Sequence, residues 1–452
     1  MRRLLYLSPY FPPQTRVGAL RPLKFARHLP SFGWAPVVLA DLWSGEPLDD
    51  ALADAVPDST IVVRDWSRRA RPEEQRWLER RRSADAAPVE VGGPRDPGRV
   101  RSERKPSRRS RLALPGWLDN PELIPLGEHG PRIPYALQAA ERVLARHPCD
   151  AILVNADPFA ATLVGARLAA RTGLPLVVDL RDPWAHCELR RPMRPLLPRN
   201  IVDQLERSVV RQAAAVILNT EATLDDYRRA YPEQPAEKFL CIRNHGDADL
   251  VADGQHAAFD RFTLLFLGNF GRFIKADVLV RLLAELSGRG VGPDALQLVV
   301  TGAFPEEGWR MAQGMGVAGY LHLHPHVPYR EIGAVMAAAD LLVLLVQPHG
   351  RQRLAAKLFD YLVAERPVLA ISESAELAQL LQRSGAGRTF PYADVAGIAD
   401  EVQARMAEGR GRVAPRTPIG ATSRESTATL ASLLDRVVAD AGFGTRAARP
   451  GR

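Results

Sequence analysis

Three short stretches carry side chains whose types and spacing could do chemistry. Residues 265–275 (LFLGNFGRFIK) read as a strand, a glycine-containing turn and a helix start. Gly268 and Gly271 let backbone approach a ligand, while Arg272, Lys275 and the helix N-terminus offer positive charge suited to a diphosphate. The spacing is neither G-x-G-x-x-G nor a P-loop, so an ordinary strand–turn–helix also accounts for it. In the second stretch, 347–360, Lys357 and Asp360 fall at i, i+3 on one helical face. The carboxylate could accept two ribose hydroxyls and the helix start could present N–H groups to phosphate; a surface ion pair is the plainer reading. The third is Asp182, after the expected strand Leu176–Asp179 and beside Arg181 and Trp184. It could orient or deprotonate an acceptor hydroxyl, or cap the turn at its Asp-Pro junction. Lysine is scarce: only Lys24, Lys105, Lys238, Lys275 and Lys357 stand among the 60 basic residues, so each is less easily background.

Short apolar runs alternating with helical patterns must position these groups, the mark of parallel α/β architecture. Leu4–Ser8 reads as a buried strand, followed by a proline-rich turn, Gly18 and a helix over Ala19–Phe32. Further strands are expected at Pro36–Ala40, Ala151–Asn155, Leu176–Asp179, Ala215–Asn219 and Phe239–Arg243. A polar stretch, 244–260, reads as a linker, after which the alternation restarts with strands at Thr263–Leu267, Leu296–Thr301, Tyr320–Leu323, Leu341–Val346 and Val368–Ile371. The organisation predicted is an N-terminal domain over 1–243, the linker, a C-terminal domain over 261–440 and a flexible tail over 441–452. Two doubly wound domains facing across a cleft would bind ligands at the carboxyl ends of their strands.

With 452 residues and 46% hydrophobic content, the chain has ample core-forming material. Three dispersed cysteines without C-x-x-C spacing argue against a disulfide framework or a cysteine zinc site. The apolar run Leu4–Leu7 is short for a signal sequence and Ala334–Val346, interrupted by Asp340, is short for a bilayer span, which predicts a soluble, cytoplasmic protein. The net charge of +8 is local: residues 68–111 hold fifteen Lys and Arg against seven Asp and Glu, and the rest of the chain balances. An insertion over 66–115 is expected to be disordered. It is either an inert linker or a means of reaching an anionic membrane surface, with Trp66, Trp77 and Trp117 as interfacial anchors. No nucleic-acid-binding signature accompanies the charge. Asp247-Ala-Asp249, in the linker, and the alternating His322, His324 and His326 imitate metal ligands but are read as turn and strand-end residues, so no metal is expected.

Taken in order, Tyr6-Leu7-Ser8-Pro9-Tyr10-Phe11-Pro12-Pro13 with Gly18, Asp179-Leu180-Arg181-Asp182-Pro183-Trp184, Asn244-His245-Gly246-Asp247, Gly268 through Lys275, Gly302, and Lys357-Leu358-Phe359-Asp360-Tyr361-Leu362 with Arg366-Pro367 resemble the GT-B-fold glycosyltransferases of the family 4-like group. The resemblance spans nearly the whole chain apart from residues 65–115 and the tail. It implies retaining, nucleotide-sugar-dependent transfer without a metal or other cofactor, the acceptor on the N-terminal domain and the donor on the C-terminal one. Gly18 would then approach the donor phosphates, Arg272 and Lys275 would neutralise the diphosphate, and Asp360 would take the second acidic position of an E-x7-E pair that binds ribose. The first acidic position is Gln352, a departure that removes a charge, and Arg272 lies closer to Lys275 than the family's usual spacing. The expected partners are a nucleotide-sugar donor and a glycan or lipid-linked acceptor, with attachment to the inner face of the cell membrane through 68–111. An epimerase or hydrolase on the same fold, or an inactive nucleotide-sugar-binding partner, stay open as alternatives.

Overall fold

The strands form two separate parallel sheets in a computed structural model that describes residues 1–41, 48–67, 120–251, 258–268, 270, 274–324, 327–346, 350–411, 419 and 422–442. The first sheet contains β1 (Arg2–Leu7), β2 (Trp34–Ala40), β3 (Ile61–Arg64), β4 (Ala151–Asn155), β5 (Leu176–Leu180), β6 (Ala215–Leu218) and β7 (Phe239–Cys241), in the order 3-2-1-4-5-6-7. The second contains β8 (Phe262–Leu267), β9 (Leu296–Thr301), β10 (Leu321–His324), β11 (Leu341–Leu345), β12 (Val368–Ile371) and β13 (Gly387–Phe390), in the order 10-9-8-11-12-13. Central strands such as β4, β5, β8 and β11 are buried along their whole length, because helices cover both faces of a parallel sheet. Each sheet reverses its strand order once, between β1 and β4 and between β8 and β11, which opens a crevice at the carboxyl ends of those strands.

Two strands were not anticipated, β3 and β13. Both are short edge strands, and β13 (GRTF) has a single large apolar residue; it is strand because β12 pairs with it. Trp66, expected as a lipid anchor, is instead buried in the core of the first unit beside Ile133 and Leu137 and cannot serve in that way. Arg272, Trp77, Trp117, His326, most of the insertion and the distal tail lie outside the described residues.

The last helix, Ser423–Asp440, lies within the sequence range of the second domain but packs on the first. Leu430, Leu434 and Val438 share a core cluster with Leu4, Tyr6, Phe25 and Trp34. Its start is fixed by a capping box between Thr422 and Glu425 and by Ser423 Oγ donating to the Gly246 carbonyl at 2.9 Å. The linker and this returning segment therefore run side by side, with Gly246 bridged to Thr422.

Candidate functional site

In the first unit, a proline sets the geometry of the β1 loop. Pro22 lies inside the helix Val17–His28 and has no N–H to give the Gly18 carbonyl four residues back. Asn155 Nδ2, at the end of β4, donates to that carbonyl instead at 3.1 Å, tying the Gly18 turn to the switch point. A side chain at 18 would bring its Cβ within 2.8 Å of Asp157 Oδ2, so any larger residue would have to push that carboxylate aside. Arg181, half-buried at the end of β5, reaches Asp157 at 3.4 Å and Asp182 at 3.2 Å. Burial would raise the Asp182 carboxyl, but Arg181 and then Arg353 outweigh it and hold the group below the usual carboxylate range.

The loop carrying Asp182 is pinned from beneath by a buried carboxylate. Glu206 accepts from Tyr231 Oη at 2.6 Å, Tyr227 Oη at 2.8 Å and Ala185 N–H at 2.9 Å, while Trp184 N–H donates to Tyr227 Oη. Trp184 also stacks on Phe159, centroid to centroid 5.2 Å.

In the second unit, Gly268 follows β8 with φ +95°, a conformation that favours glycine. Its N–H donates to the Thr301 carbonyl at 2.7 Å, and the space a side chain would take is filled by Lys357, whose Nζ lies 2.7 Å from the Cβ position. Tyr361, one turn further along the helix Ala356–Val363, accepts from Leu267 N–H at 3.1 Å and donates to the Val343 carbonyl at 3.2 Å. That phenol fixes the helix against β8 and β11, and thereby fixes Lys357 over the Phe266 ring at 4.6 Å. No hydrogen bond or ion pair to Lys357 occurs among the described residues, and burial lowers its ammonium to about 8. A half-buried cation with no anion among the described residues, at the switch point of a doubly wound sheet, is suited to an anionic ligand.

Asp360 and Gln352 sit where the two units touch. Asp360 Oδ1 receives Lys24 Nζ at 3.1 Å and Tyr329 Oη at 2.9 Å, and Lys24 also donates to the His245 carbonyl at 2.7 Å. No hydrogen bond reaches Oδ2 among the described residues. Gln352 is used fully across the interface: Nε2 donates to Asp226 at 2.7 Å and to the His186 carbonyl at 3.0 Å, and Oε1 accepts from Glu188 N–H at 2.8 Å. Beside it Arg351 reaches both Asp226 oxygens at 2.8 Å, and Arg353 Nε lies 3.8 Å from Asp182. Burial would raise Asp226, but the Arg351 and Gln352 hydrogen bonds hold it low.

The structure thus brings Arg353 of the second unit across to Asp182 of the first, sets Gly18 beside Asp157, and places Gly268 with Lys357 at the switch point of the second sheet. Lys275 stands exposed before the helix Asp277–Gly288, with no partner among the described residues. Lys24, Tyr329 and Arg353 were not anticipated from the sequence; lysine scarcity was the only signal, and it pointed at Lys24. Asp247 is occupied by His28 at 3.1 Å and Arg27 at 3.5 Å, and among the described residues no three metal-ligating side chains gather.

A family model described as a glycosyl transferase 4-like domain matches residues 19–245, half of the chain. No curated protein sequence matches. Solved structures share the fold at low identity. A sucrose-phosphate synthase from Thermosynechococcus elongatus is 13% identical with TM-score 0.60, over 98% of both chains. S. aureus TarM, solved with Fondaparinux, alpha-GlcNAc-glycerol and UDP, is 8% identical with TM-score 0.56, over 98% of this chain and all of its own. A UDP-GlcNAc 2-epimerase from Methanocaldococcus jannaschii is 11% identical with TM-score 0.51, over 96% of this chain and all of its own. The two doubly wound sheets are those of the GT-B fold, and the chain belongs to the glycosyl transferase 4-like family.

Proposed function

We propose that this glycosyltransferase moves a sugar from a nucleoside-diphosphate donor on the second unit to a hydroxyl acceptor on the first, with retention and without a metal ion. The observation that carries the reading is Lys357, a half-buried ammonium with no anionic partner among the described residues, seated at Gly268. When the bond from the anomeric carbon to the diphosphate oxygen breaks, negative charge grows on the leaving group. A cation already in place and partly desolvated stabilises that charge more than one in water would. Lys275, exposed before the helix Asp277–Gly288, adds to it, and the sequence assigns Arg272 the same role. Asp360, oriented through Oδ1 by Lys24 and Tyr329, has Oδ2 to offer the ribose hydroxyls.

Asp182 serves the acceptor side. A carboxylate held ionised by Arg181 is a weak base, so its role is to orient the acceptor hydroxyl and to favour positive charge on the sugar carbon. The acceptor is a glycan or a lipid-linked precursor of a polysaccharide.

Thermal shift across UDP-, GDP- and ADP-sugars tests the donor: a bound donor at 100 times its Kd stabilises by about 2.7 kcal/mol. The anomeric configuration of the product, read by NMR, tests retention. A panel in which no donor shifts the protein overturns the reading, as does a product that is only the epimerised or hydrolysed donor.

A further inference from the structure

A carboxylate lies buried in the first unit with neutral groups around it. Glu206, in the helix Leu196–Gln212, is fully buried, and among the described residues no Lys or Arg forms an ion pair with it. Its donors are Tyr231 Oη, Tyr227 Oη and Ala185 N–H. His186 Nε2 lies 3.8 Å away, and its ring stands roughly perpendicular to those of Tyr227 and Tyr231, with centroids 5.7 and 5.4 Å apart. Burial, and after it the charge of Glu206, raises both phenols, so each stays a hydrogen-bond donor. Burying a charge costs free energy that an apolar side chain of the same size would not. Packing does not call for such a group, and its hydrogen bonds lead out of the core toward the second unit.

Two paths run from Glu206 to that unit. One follows the loop: Trp184 N–H donates to Tyr227 Oη at 3.2 Å and Ala185 N–H to Glu206, and the residues that follow meet Gln352. The His186 carbonyl accepts from its amide, Glu188 N–H donates to its Oε1, and Gln352 N–H returns a bond to Glu188 Oε1 at 3.0 Å. The other follows the helix Glu221–Ala230, which gives Tyr227 to Glu206 and Asp226 to Arg351 and Gln352. Thr223 Oγ1, on the same helix, donates to the Gln352 carbonyl at 3.3 Å. Both paths end on 351–353, whose Arg353 stands 3.8 Å from Asp182. We infer that Glu206 is a positioning residue: through Tyr227 and the 184–188 loop it holds the 351–353 segment of the second unit in place against Asp182 of the first. It touches no substrate in this role. The inference rests on the proposed transfer for its effect on turnover, and on the contacts alone for its effect on the segment.

Hydrogen–deuterium exchange on the full chain, compared among the parent, Tyr227→Phe and Glu206→Met, tests it. Tyr227→Phe removes one hydroxyl from the cluster; Glu206→Met fills a similar volume and accepts nothing. The amides of 184–188 and of Gln352 are expected to exchange about tenfold or more faster in both variants. Parent-like exchange at Glu188 and Gln352 in Tyr227→Phe overturns the inference, whatever Glu206→Met does to the fold, because the cluster then serves its own unit only. Turnover supplies the second readout, taken with the UDP-, GDP- or ADP-sugar that raises the parent's melting temperature. For Tyr227→Phe, kcat is expected to fall about tenfold while KM for that donor stays within about twofold, since Lys357 and Asp360 are untouched. A parent that neither binds nor turns over any of these donors contradicts the transfer itself, and the exchange readout then decides the role of Glu206 alone. With an active parent, a parent-like kcat in Tyr227→Phe, or a fall in kcat matched by a rise in donor KM, overturns the inference.

Discussion

An amide at position 352 can do what a carboxylate there cannot: donate to Asp226 and to the His186 carbonyl while accepting from Glu188 N–H. Glutamate would set its charge 2.7 Å from the Asp226 oxygen, in a pocket that already holds Glu188. Gln352→Glu is therefore expected to weaken the contact between the units and to lower stability by about 1–3 kcal/mol in urea denaturation at pH 7. Asp226→Asn in the same chain should recover part of that loss, because the repelling charge is gone. A Gln352→Glu protein as stable as its parent would show that the clamp contributes nothing. Sequence could name position 352 as a departure from the family pattern but could not supply the reason. The two acids opposite it come from 126 and 164 residues away.

Elements built from continuous apolar runs were legible because burial on both faces leaves no other reading for Leu4–Leu7 or Leu341–Leu345. The edge strands β3 and β13 were not, since pairing with a neighbour, rather than their own composition, makes them strands. The last helix was legible as a helix but not as part of the first unit, because an amphipathic pattern states that a face is buried and not against what. The Gly18 turn shows how elements combine: Pro22 leaves a carbonyl free, Asn155 takes it, and Asp157 then occupies the space beside the glycine. Gly18→Ala is expected to displace Asp157 and with it the Arg181–Asp182 pair. Turnover should fall by about tenfold or more while the far-UV circular dichroism spectrum is kept. Parent-like turnover in Gly18→Ala would separate this turn from the reaction.

At the scale of the molecule, the two units meet through helix residues such as Lys24, Asp226 and Asp360 as well as loop residues such as Glu188 and Gln352, and Lys24–Asp360 is a buried pair among those contacts, with both side chains under a tenth exposed. Replacing Lys24 with methionine would leave a buried carboxylate with only Tyr329 as side-chain donor among the described residues. The expected cost is about 3 kcal/mol or more, and Lys24→Met/Asp360→Asn should cost less than Lys24→Met alone, because no charge is left unpaired. Equal stability of the two variants in chemical denaturation would contradict that. Lys357 carries the opposite sign. Burial lowers its ammonium from 10.5 to about 8, so below pH 8 both folded and unfolded chains are protonated and the folded state bears the full cost. That cost is relieved as pH rises from about 8 to 10.5. An anion at the site does the reverse, drawing a proton onto the lysine. Isothermal titration of UDP, GDP and ADP against the parent and Lys357→Met tests the donor site most directly. The account predicts that at least one diphosphate binds the parent, with affinity falling and proton uptake appearing as pH is raised through about 8. It further predicts that the variant binds the same nucleotide about 10- to 100-fold more weakly, with no such pH dependence. Binding of that nucleotide with parent affinity by Lys357→Met, or no binding of any of the three by the parent, would contradict it.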